Sequence, residues 1–372
     1  MAGWLRHLRG VRGLALGGLA AAAALAGGLV SADRSVKVAS GPLTETRFHL
    51  LAKKPAPAPA ALQARLDELA ATYGEEVGVA VTDVSEGWTA GVDKDRPYPQ
   101  QSVSKLWVAI AVMRAADAGR LDPEAWVTLT DEDRSVFFQP VAYNIGKAGF
   151  TTQLSSLLRR ALVESDNAAN DKLMREMGGP DGVSLALAEM GLAGVKVGAY
   201  ERDLQARTAG LVWQTDYGMG WNFQEARQAL PMATREAAMA AYLADPLDGS
   251  SPASITAALA MLSRGELLSS ESTATVLGLM HDARTGPRRL KGGLPAGWSI
   301  GHKTGTGQDF QGAAIGINDV GLLTAPDGRT YAVAVMMRQT RKPVPERLAF
   351  MQSITRAVAE HWAAAETRTA AD

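Results

Sequence analysis

The 372-residue sequence contains no cysteine, which excludes disulfide bonds, thiolate metal sites and lipid attachment to an N-terminal cysteine within it. Histidine is scarce as well. The five histidines are scattered, and none forms the H-x-H or H-E-x-x-H pattern of a zinc hydrolase. The net charge is only −1, so the chain lacks the excess of basic residues that is typical of nucleic-acid-binding proteins. Hydroxyl, carboxyl, amide and amino side chains are left to carry any chemistry.

Residues 1–32 have the features of an export signal. A start with three arginines precedes an apolar run over residues 14–30, and the small residues at 30–32 are typical of a cleavage site. Glycine and alanine dilute the apolar run and insert weakly into membranes, which favours cleavage over a retained N-terminal membrane anchor. The sequence therefore predicts export to the periplasm. Residues 33–60 then form a leader that ends in a Pro/Ala-rich spacer.

One stretch has the pattern of an activated nucleophile. Ser102 is followed three residues later by Lys105, and both lead into an apolar, Ala-rich run that predicts a buried helix. This spacing is just under one helical turn, so Ser102 Oγ and Lys105 Nζ can share one face of the helix start. Serine is a poor nucleophile unless a neighbour takes its proton, and a partly buried lysine can do so. Alone, however, S-x-x-K often arises by chance.

Two further motifs follow in a fixed order, Ser165-Asp166-Asn167 and Lys303-Thr304-Gly305-Thr306. With S-x-x-K they make up the serine–lysine acyl-transfer set of the penicillin-interacting enzymes. From about residue 63 to residue 362, the sequence resembles a class A β-lactamase-type serine hydrolase. The glycine-rich run at 292–298, the Asn318-Asp319 pair and the Glu-His-Trp ending of the last helix belong to the same resemblance.

The element pattern predicts an α/β (α+β) fold with two lobes. Strand patterns occur near both ends of the folded region, and mostly helical segments lie between them. We therefore expect an antiparallel sheet flanked by N- and C-terminal helices (61–120 and 296–362), with an all-helical domain inserted over residues 121–295. This is the β-lactamase-like fold that the resemblance implies. Residues 363–372 are expected to be a flexible tail.

The resemblance assigns roles to the catalytic motif residues. Ser102 would attack a carbonyl and form an acyl-enzyme, while Lys105 would hold or remove the serine proton. Ser165 would pass a proton to the departing ring nitrogen. The backbone N–H groups of Ser102 and Thr306 would form an oxyanion hole, an effect worth a few kcal/mol per donor in comparable hydrolases.

The resemblance also implies a substrate-binding wall. Asn167 would position Lys105 and the substrate amide, and the second motif would attract a substrate carboxylate through Lys303, Thr304, Gly305 and Thr306. Arg288 lies where some class A members bind that carboxylate, but neighbouring basic residues make a surface turn an equal alternative. The plainer alternatives are a helix cap for Asn167 and an ordinary strand-end cation for Lys303.

Hydrolysis of the acyl-enzyme needs a base that activates water. Class A β-lactamases supply a glutamate in an E-x-x-L-N run, and Glu201-Arg202-Asp203-Leu204-Gln205 lies at the family's usual distance from Asn167 (201 − 167 = 34). Gln205 replaces the asparagine, no proline follows Glu201, and the family's loop-fixing arginine is missing. The rigidity of this loop is therefore open. The alternative is that Glu201 belongs to a solvated run of charges.

Residues 209–247 are additional relative to the family pattern, which resumes at Asp248. A helical pattern over 234–244 follows a group of aromatic residues, namely Trp213, Tyr217, Trp221 and Phe223. These side chains could line a remodelled cleft, but packing of a helical insertion is favoured.

The best interpretation is a monomeric serine hydrolase that opens β-lactam rings through an acyl-Ser102 intermediate, hydrolysed by water that Glu201 activates. It would use no metal or organic cofactor and bind no nucleic acid. One alternative is a D-Ala-D-Ala peptidase, cell-wall amidase or esterase with the same chemistry and a peptidoglycan-like substrate. The other is a penicillin-binding sensor that does not deacylate, which the Gln205 departure keeps open.

The export signal leads to a direct test. Cleavage after Ala32 should give exported protein a mature N-terminus at Asp33, which N-terminal sequencing would identify. A membrane fraction in which Met1 or Ala2 is intact would instead establish a retained anchor.

Overall fold

The computed structural model describes residues 56–369, so the predicted signal and most of the leader lie outside the described residues. The strands are β1 (Val77–Asp83), β2 (Thr89–Val92), β3 (Tyr98–Pro99), β4 (Trp126–Leu129), β5 (Phe150–Gln153), β6 (Gly249–Ser250), β7 (Ser299–Gly305), β8 (Asp309–Phe310), β9 (Ala313–Thr324) and β10 (Thr330–Thr340). The helices are α1 (Ala60–Tyr73), α2 (Ser104–Asp117), α3 (Leu154–Arg159), α4 (Asn167–Glu176), α5 (Gly179–Glu189), α6 (Glu201–Ala209), α7 (Asn222–Ala229), α8 (Met232–Ala244), α9 (Pro252–Ser263), α10 (Ser270–His281) and α11 (Val344–Thr369).

The central sheet combines strands from both ends of the folded region. Its order is β2-β1-β10-β9-β7, with β8 paired to β9, and every pairing is antiparallel. Along β10, Ala332 and Ala334 face one hydrophobic core, whereas Val333 and Val335 face another. This period of two is that of a β-strand, and both faces of the sheet are therefore covered.

One face of the sheet is covered by the first and last helices. Leu62 and Leu66 of α1 pack in the same core as Met351, Ile354 and Val358 of α11, because each set repeats at helical spacing. The two helices contact each other. They close the sheet lobe from opposite ends of the sequence.

The other face is covered by α9 and α10, and α2 lies in the core behind them. Helix α2 is buried on nearly all sides over residues 104–113, as expected for a helix that is apolar all round. Helix α9 packs against β1 and β10, and α10 packs against β7. The start of α2 is thereby held between the sheet and the helical lobe, and this is where the nucleophile motif lies.

The predicted antiparallel sheet with flanking helices and a mainly helical inserted lobe is confirmed, with two corrections. The inserted lobe is not all-helical, because β-branched residues of β4 and β5 pair as a ribbon in which Thr128 and Thr151 hydroxyls lie 2.9 Å apart. The expected flexible tail is helical as far as Thr369, since alanines after Trp362 favour continuation of α11. In the described residues, no helix has the length and apolarity that crossing a bilayer requires.

Packing between α1 and α11 predicts a large effect of one truncation. Leu66 has no exposed surface, so Leu66→Ala should lower the free energy of unfolding by about 2–5 kcal/mol. Thr72→Ala, an exposed position on the same helix, should change it by less than about 0.5 kcal/mol. Denaturant titration compares the two, and equal small losses would mean that α1 does not pack as described.

Candidate active site

The nucleophile lies in a strained turn at the start of α2. A 3₁₀ turn over Gln101–Val103 precedes the helix, and Ser102 within it is half-exposed. Gln101 has a φ of 53°, a left-handed conformation that costs free energy for a residue with a side chain. The buried Asp248 carboxylate holds this turn by accepting the Gln101 backbone N–H at 2.6 Å. The turn presents the Ser102 hydroxyl while its neighbours are buried.

Lys105 is fully buried and has two charged or polar partners. Its Nζ donates to Ser102 Oγ at 2.7 Å and to Glu201 Oε2 at 2.6 Å. Glu201 is the first residue of α6 and is 5% exposed. Its backbone N–H donates to Asp171 Oδ1 at 2.7 Å, which fixes the start of α6 against α4. Serine, lysine and glutamate therefore form one continuous chain of hydrogen bonds.

Opposing effects set the protonation of Glu201. Burial alone would raise the pKa of its carboxyl group, but the charge and hydrogen bond of Lys105, together with Gln205, lower the pKa below its ordinary value. Glu201 is thus ionised at neutral pH. At Asp171, burial and the charge of Glu201 raise the pKa to about 6.

Ser165 faces this chain from the helical lobe. It has a φ of 66°, after a π-turn over Arg160–Glu164 that ends α3. Lys303 Nζ donates to Ser165 Oγ at 2.9 Å. Burial and the nearby charge of Lys105 hold the pKa of Lys303 well below its ordinary value. A lysine in this state can exchange a proton with the hydroxyl it contacts.

These groups border one cleft with a volume of about 500 Å³ between the lobes. Its lining residues include a nucleophile, a carboxylate, two hydroxyl groups and an amide, namely Ser102, Glu201, Ser165, Thr306 and Asn167. In the part of the chain that the structure describes, no three His, Asp or Glu side chains are grouped to hold a metal ion. The arrangement can carry out acyl transfer to serine followed by proton transfer from water.

Residues 61–362 match the model of the beta-lactamase enzyme family. The chain belongs to this family. The β-lactamase is 26% identical to the β-lactamase VEB-1 of Pseudomonas aeruginosa over 76% of this chain and 83% of the relative. It is 29% identical to the extended-spectrum β-lactamase PER-1 of Pseudomonas aeruginosa over 71% of this chain and 75% of the relative.

Solved structures show the same fold. A β-lactamase from Chitinophaga pinensis has a TM-score of 0.65 at 26% identity, covering 82% of this chain and 99% of its own. An ancestral class A β-lactamase has a TM-score of 0.64 at 27% identity, covering 81% of this chain and 99% of its own. The chain is therefore a class A-type serine β-lactamase.

The structure of the β-lactamase brings most residues of the predicted site together, with one different contact. Lys303 and Thr304 lie on β7 beside Ser165, and Gly305 ends this strand. Asn167, expected to position Lys105, instead donates its amide N–H to the Val136 carbonyl at 2.7 Å. Lys105, which was expected to be positioned by Asn167, instead contacts the buried carboxylate of Glu201.

The structure places Arg288 outside the cleft that it was expected to line, and its neighbour Arg289 inside it. Arg288 is exposed outside the cleft, whereas Arg289 lines it and donates to Thr306 Oγ1 at 2.7 Å and to the Gly305 carbonyl at 2.9 Å. Leu290 is buried and its N–H is bound by Asp319 Oδ2 at 3.0 Å, which sets the orientation of this irregular turn. Adjacent arginines in a turn point in different directions, and the sequence does not specify which one faces the cleft.

Gln205, treated as a departure from the family pattern, holds the glutamate in place. Its Nε2 donates to Glu201 Oε1 and to Gln101 Oε1, both at 2.8 Å, and its own Oε1 accepts from Gln308 Nε2 at 2.9 Å. The i,i+4 spacing of Glu201 and Gln205 on a helix was a signal for the first of these bonds. The two long-range bonds had no signal in the sequence.

The additional segment 209–247 supplies the next bond in this network. Tyr242 of α8 accepts from Gln101 Nε2 at 2.5 Å and donates to Asp248 Oδ1 at 3.0 Å. Burial raises the pKa of Asp248 to about 6. Helix α8 therefore supports both the nucleophile turn and, through Gln205, the glutamate.

The aromatic residues of this segment mainly pack against one another, as expected. The Tyr217 ring packs edge to face against both Trp213 and Phe223, with ring centroids 6.0 Å apart in each pair. Phe223 also packs edge to face against Phe137, with ring centroids 5.2 Å apart. Trp221 differs, because 72% of its surface is exposed.

The network predicts that Gln205 is a positioning residue. Removing a hydrogen bond to a charged group costs about 1.5–3 kcal/mol, so Gln205→Ala should slow deacylation roughly tenfold to a hundredfold and acylation much less. Single-turnover kinetics with a chromogenic β-lactam separate the two steps. Gln214→Ala, at an exposed glutamine outside the network, serves as the control, and matching rates in both variants would remove this role.

Proposed function

We propose that the enzyme opens β-lactam rings through an acyl-Ser102 intermediate and that water activated by Glu201 hydrolyses this ester. The observation that carries the proposal is the position of Glu201. Its buried carboxylate borders the same cleft as Ser102 and is held on one side by Lys105 and on the other by Gln205. A fixed, ionised carboxylate beside the nucleophile is what deacylation requires.

Acylation would begin when Ser102 Oγ attacks the lactam carbonyl and gives up its proton along the Lys105–Glu201 chain. Lys105 Nζ lies 2.7 Å from Ser102 Oγ and 2.6 Å from Glu201 Oε2, so the proton can pass without any movement of the helices. The backbone N–H groups of Ser102 and Thr306 would stabilise the tetrahedral oxyanion. The bond between the carbonyl carbon and the ring nitrogen then breaks.

The departing nitrogen needs a proton, which Ser165 would supply. Lys303 contacts Ser165 Oγ at 2.9 Å, and its lowered pKa suits it to replace the proton that the hydroxyl loses. The ring nitrogen thus leaves as an amine rather than an anion. Ser102 remains esterified, and the water enters on the side of Glu201.

Before deacylation, Glu201 would release to solvent the proton it took from Ser102, and Lys303 would regain one from solvent. Water would then attack the ester carbonyl, with the ionised Glu201 accepting its proton. The tetrahedral intermediate collapses, Ser102 Oγ leaves with a proton returned through Lys105, and the ring-opened acid is released. Because the pKa of Glu201 is lowered, the carboxylate is present in its basic form throughout the neutral range.

Substrate recognition would use the opposite wall of the cleft. Arg289 and the hydroxyl groups of Thr304 and Thr306 offer a charged and hydrogen-bonding surface for the carboxylate of a β-lactam. Arg289, rather than Arg288, is the arginine that we assign to it. We further propose that residues 1–32 direct the enzyme to the periplasm, on the basis of their sequence alone.

Mass spectrometry during incubation with benzylpenicillin tests the mechanism. The wild-type protein should show a transient adduct, Ser102→Ala none, and Glu201→Gln an adduct that accumulates, because the amide keeps the shape of the carboxyl group but cannot accept the proton. A permanent adduct in the wild type would instead indicate a penicillin-binding sensor.

Asp203→Asn is the matched control, since this acid lies two residues from Glu201 on the same helix. It should behave like the wild type. If Asp203→Asn traps the adduct, or if Glu201→Gln turns over penicillin at the wild-type rate, Glu201 is not the base.

A further inference from the structure

One wall of the cleft has no part in the mechanism above. It is formed by residues outside the three motifs, and its cation is Arg227 of α7. Helix α7 belongs to segment 209–247, to which no motif of the sequence assigns a chemical role. Phe223 is buried, and Arg227 follows it one helical turn later on the same face. The aromatic packing of Phe223 therefore fixes where Arg227 enters the cleft.

The guanidinium of Arg227 is only partly satisfied by the protein. Its Nη2 donates to the backbone carbonyl of Asp309 at 2.9 Å. Among the side chains that the structure describes, no carboxylate forms an ion pair with it, and the Asp309 side chain is exposed. An arginine has five N–H donors, and the described residues accept only this one hydrogen bond from the guanidinium of Arg227.

Its surroundings favour an anion. Burial and the like charge of Arg235 lower the pKa of Arg227, although a guanidinium stays charged at neutral pH. The charge of the exposed Asp309 carboxylate opposes this lowering, but Asp309 forms no direct ion pair with Arg227. A half-buried cation without a direct ion pair gains free energy when a carboxylate reaches it, because its own partial desolvation has already occurred on folding. Bidentate hydrogen bonding would add geometric selectivity for a planar carboxylate.

Arg227 is also separate from the carboxylate site already assigned. Arg289 donates hydrogen bonds to Gly305 and Thr306. Arg227 donates instead to Asp309, which lies farther along the chain, next to Gln308 in the cleft lining. The cleft therefore has two guanidinium groups at different places in its lining. A substrate anchored by its ring carboxylate at Arg289 would extend its other substituent along the cleft toward Arg227.

We propose that Arg227 forms a second anion subsite, which binds a carboxylate carried on the acylamino side chain of the substrate. The favoured substrates are then dianionic β-lactams, with one carboxylate on the ring and another on the side chain. This inference rests on the proposed function, because it assumes that the ring carboxylate lies against Arg289. It identifies a specificity-determining residue that lies outside the motifs.

A matched pair of substrates tests the subsite. Benzylpenicillin and α-carboxybenzylpenicillin differ only by one side-chain carboxylate. In Arg227→Gln, the ratio of kcat/KM for the carboxylated compound to that for benzylpenicillin should fall about tenfold or more, because a charge-assisted hydrogen bond is lost. Arg227→Lys keeps the charge and should recover part of the ratio. Raising the salt concentration should lower the wild-type ratio.

The control is Arg207→Gln, which removes an exposed arginine of α6 that does not line the cleft. Its substrate ratio should equal that of the wild type. A wild-type ratio in Arg227→Gln would overturn the proposal, as would an equal fall in Arg207→Gln, since the effect would then come from net charge alone.

Binding measurements keep this inference distinct from the proposed function. In Ser102→Ala protein, titration calorimetry gives the dissociation constants of both penicillins without any turnover. Adding Arg227→Gln should weaken binding of the carboxylated compound about tenfold more than that of benzylpenicillin. If this holds while wild-type protein hydrolyses neither compound, the subsite stands and the lactamase mechanism fails. If turnover is normal and both constants change equally, the mechanism stands and the subsite is wrong.

Discussion

The contact between Lys105 and Glu201 is the interaction on which the site depends. Both side chains are buried, and their charged atoms lie 2.6 Å apart. Removing one partner of a buried ion pair leaves an uncompensated charge and costs about 3–5 kcal/mol, whereas the intact pair contributes much less to stability. Such a pair is better understood as a device for orientation. It joins the nucleophile helix α2 to the separate helix α6 and keeps Lys105 within hydrogen-bonding distance of both Ser102 and Glu201.

Neighbouring groups serve this pair. Asp171 fixes the backbone at Glu201, and Gln205 binds the oxygen of Glu201 that Lys105 leaves free. Tyr242 and Asp248 extend the network to the nucleophile turn. A chain of polar side chains therefore holds Glu201, in a sequence that lacks the family's loop-fixing arginine two residues before it. A buried network of this kind is favourable only when nearly every donor and acceptor is satisfied.

The sequence predicted much of this arrangement and missed a definable part. The three motifs can be read because their chemistry is local: Ser102 and Lys105 are almost one helical turn apart, and Glu201 lies at a family-typical distance from Asn167. The bonds of Gln101 to Gln205 and Tyr242 join distant parts of the chain and depend on packing, which no local pattern encodes. The exchange of Arg288 for Arg289 has the same origin, because the direction of a side chain in an irregular turn is set by its buried neighbours.

The pairing of β1 with β10 has a consequence for how the chain acquires its structure. Val77 pairs with Met337, and α1 packs against α11, so the sheet lobe needs residues from both ends of the folded region before it can form. Contacts of such high sequence separation form late, because their loop-closure entropy must be overcome first. A chain that emerges N-terminus first therefore holds β1 and α1 without partners until its last strands arrive. This topology delays completion of the sheet until its C-terminal strands have been synthesised.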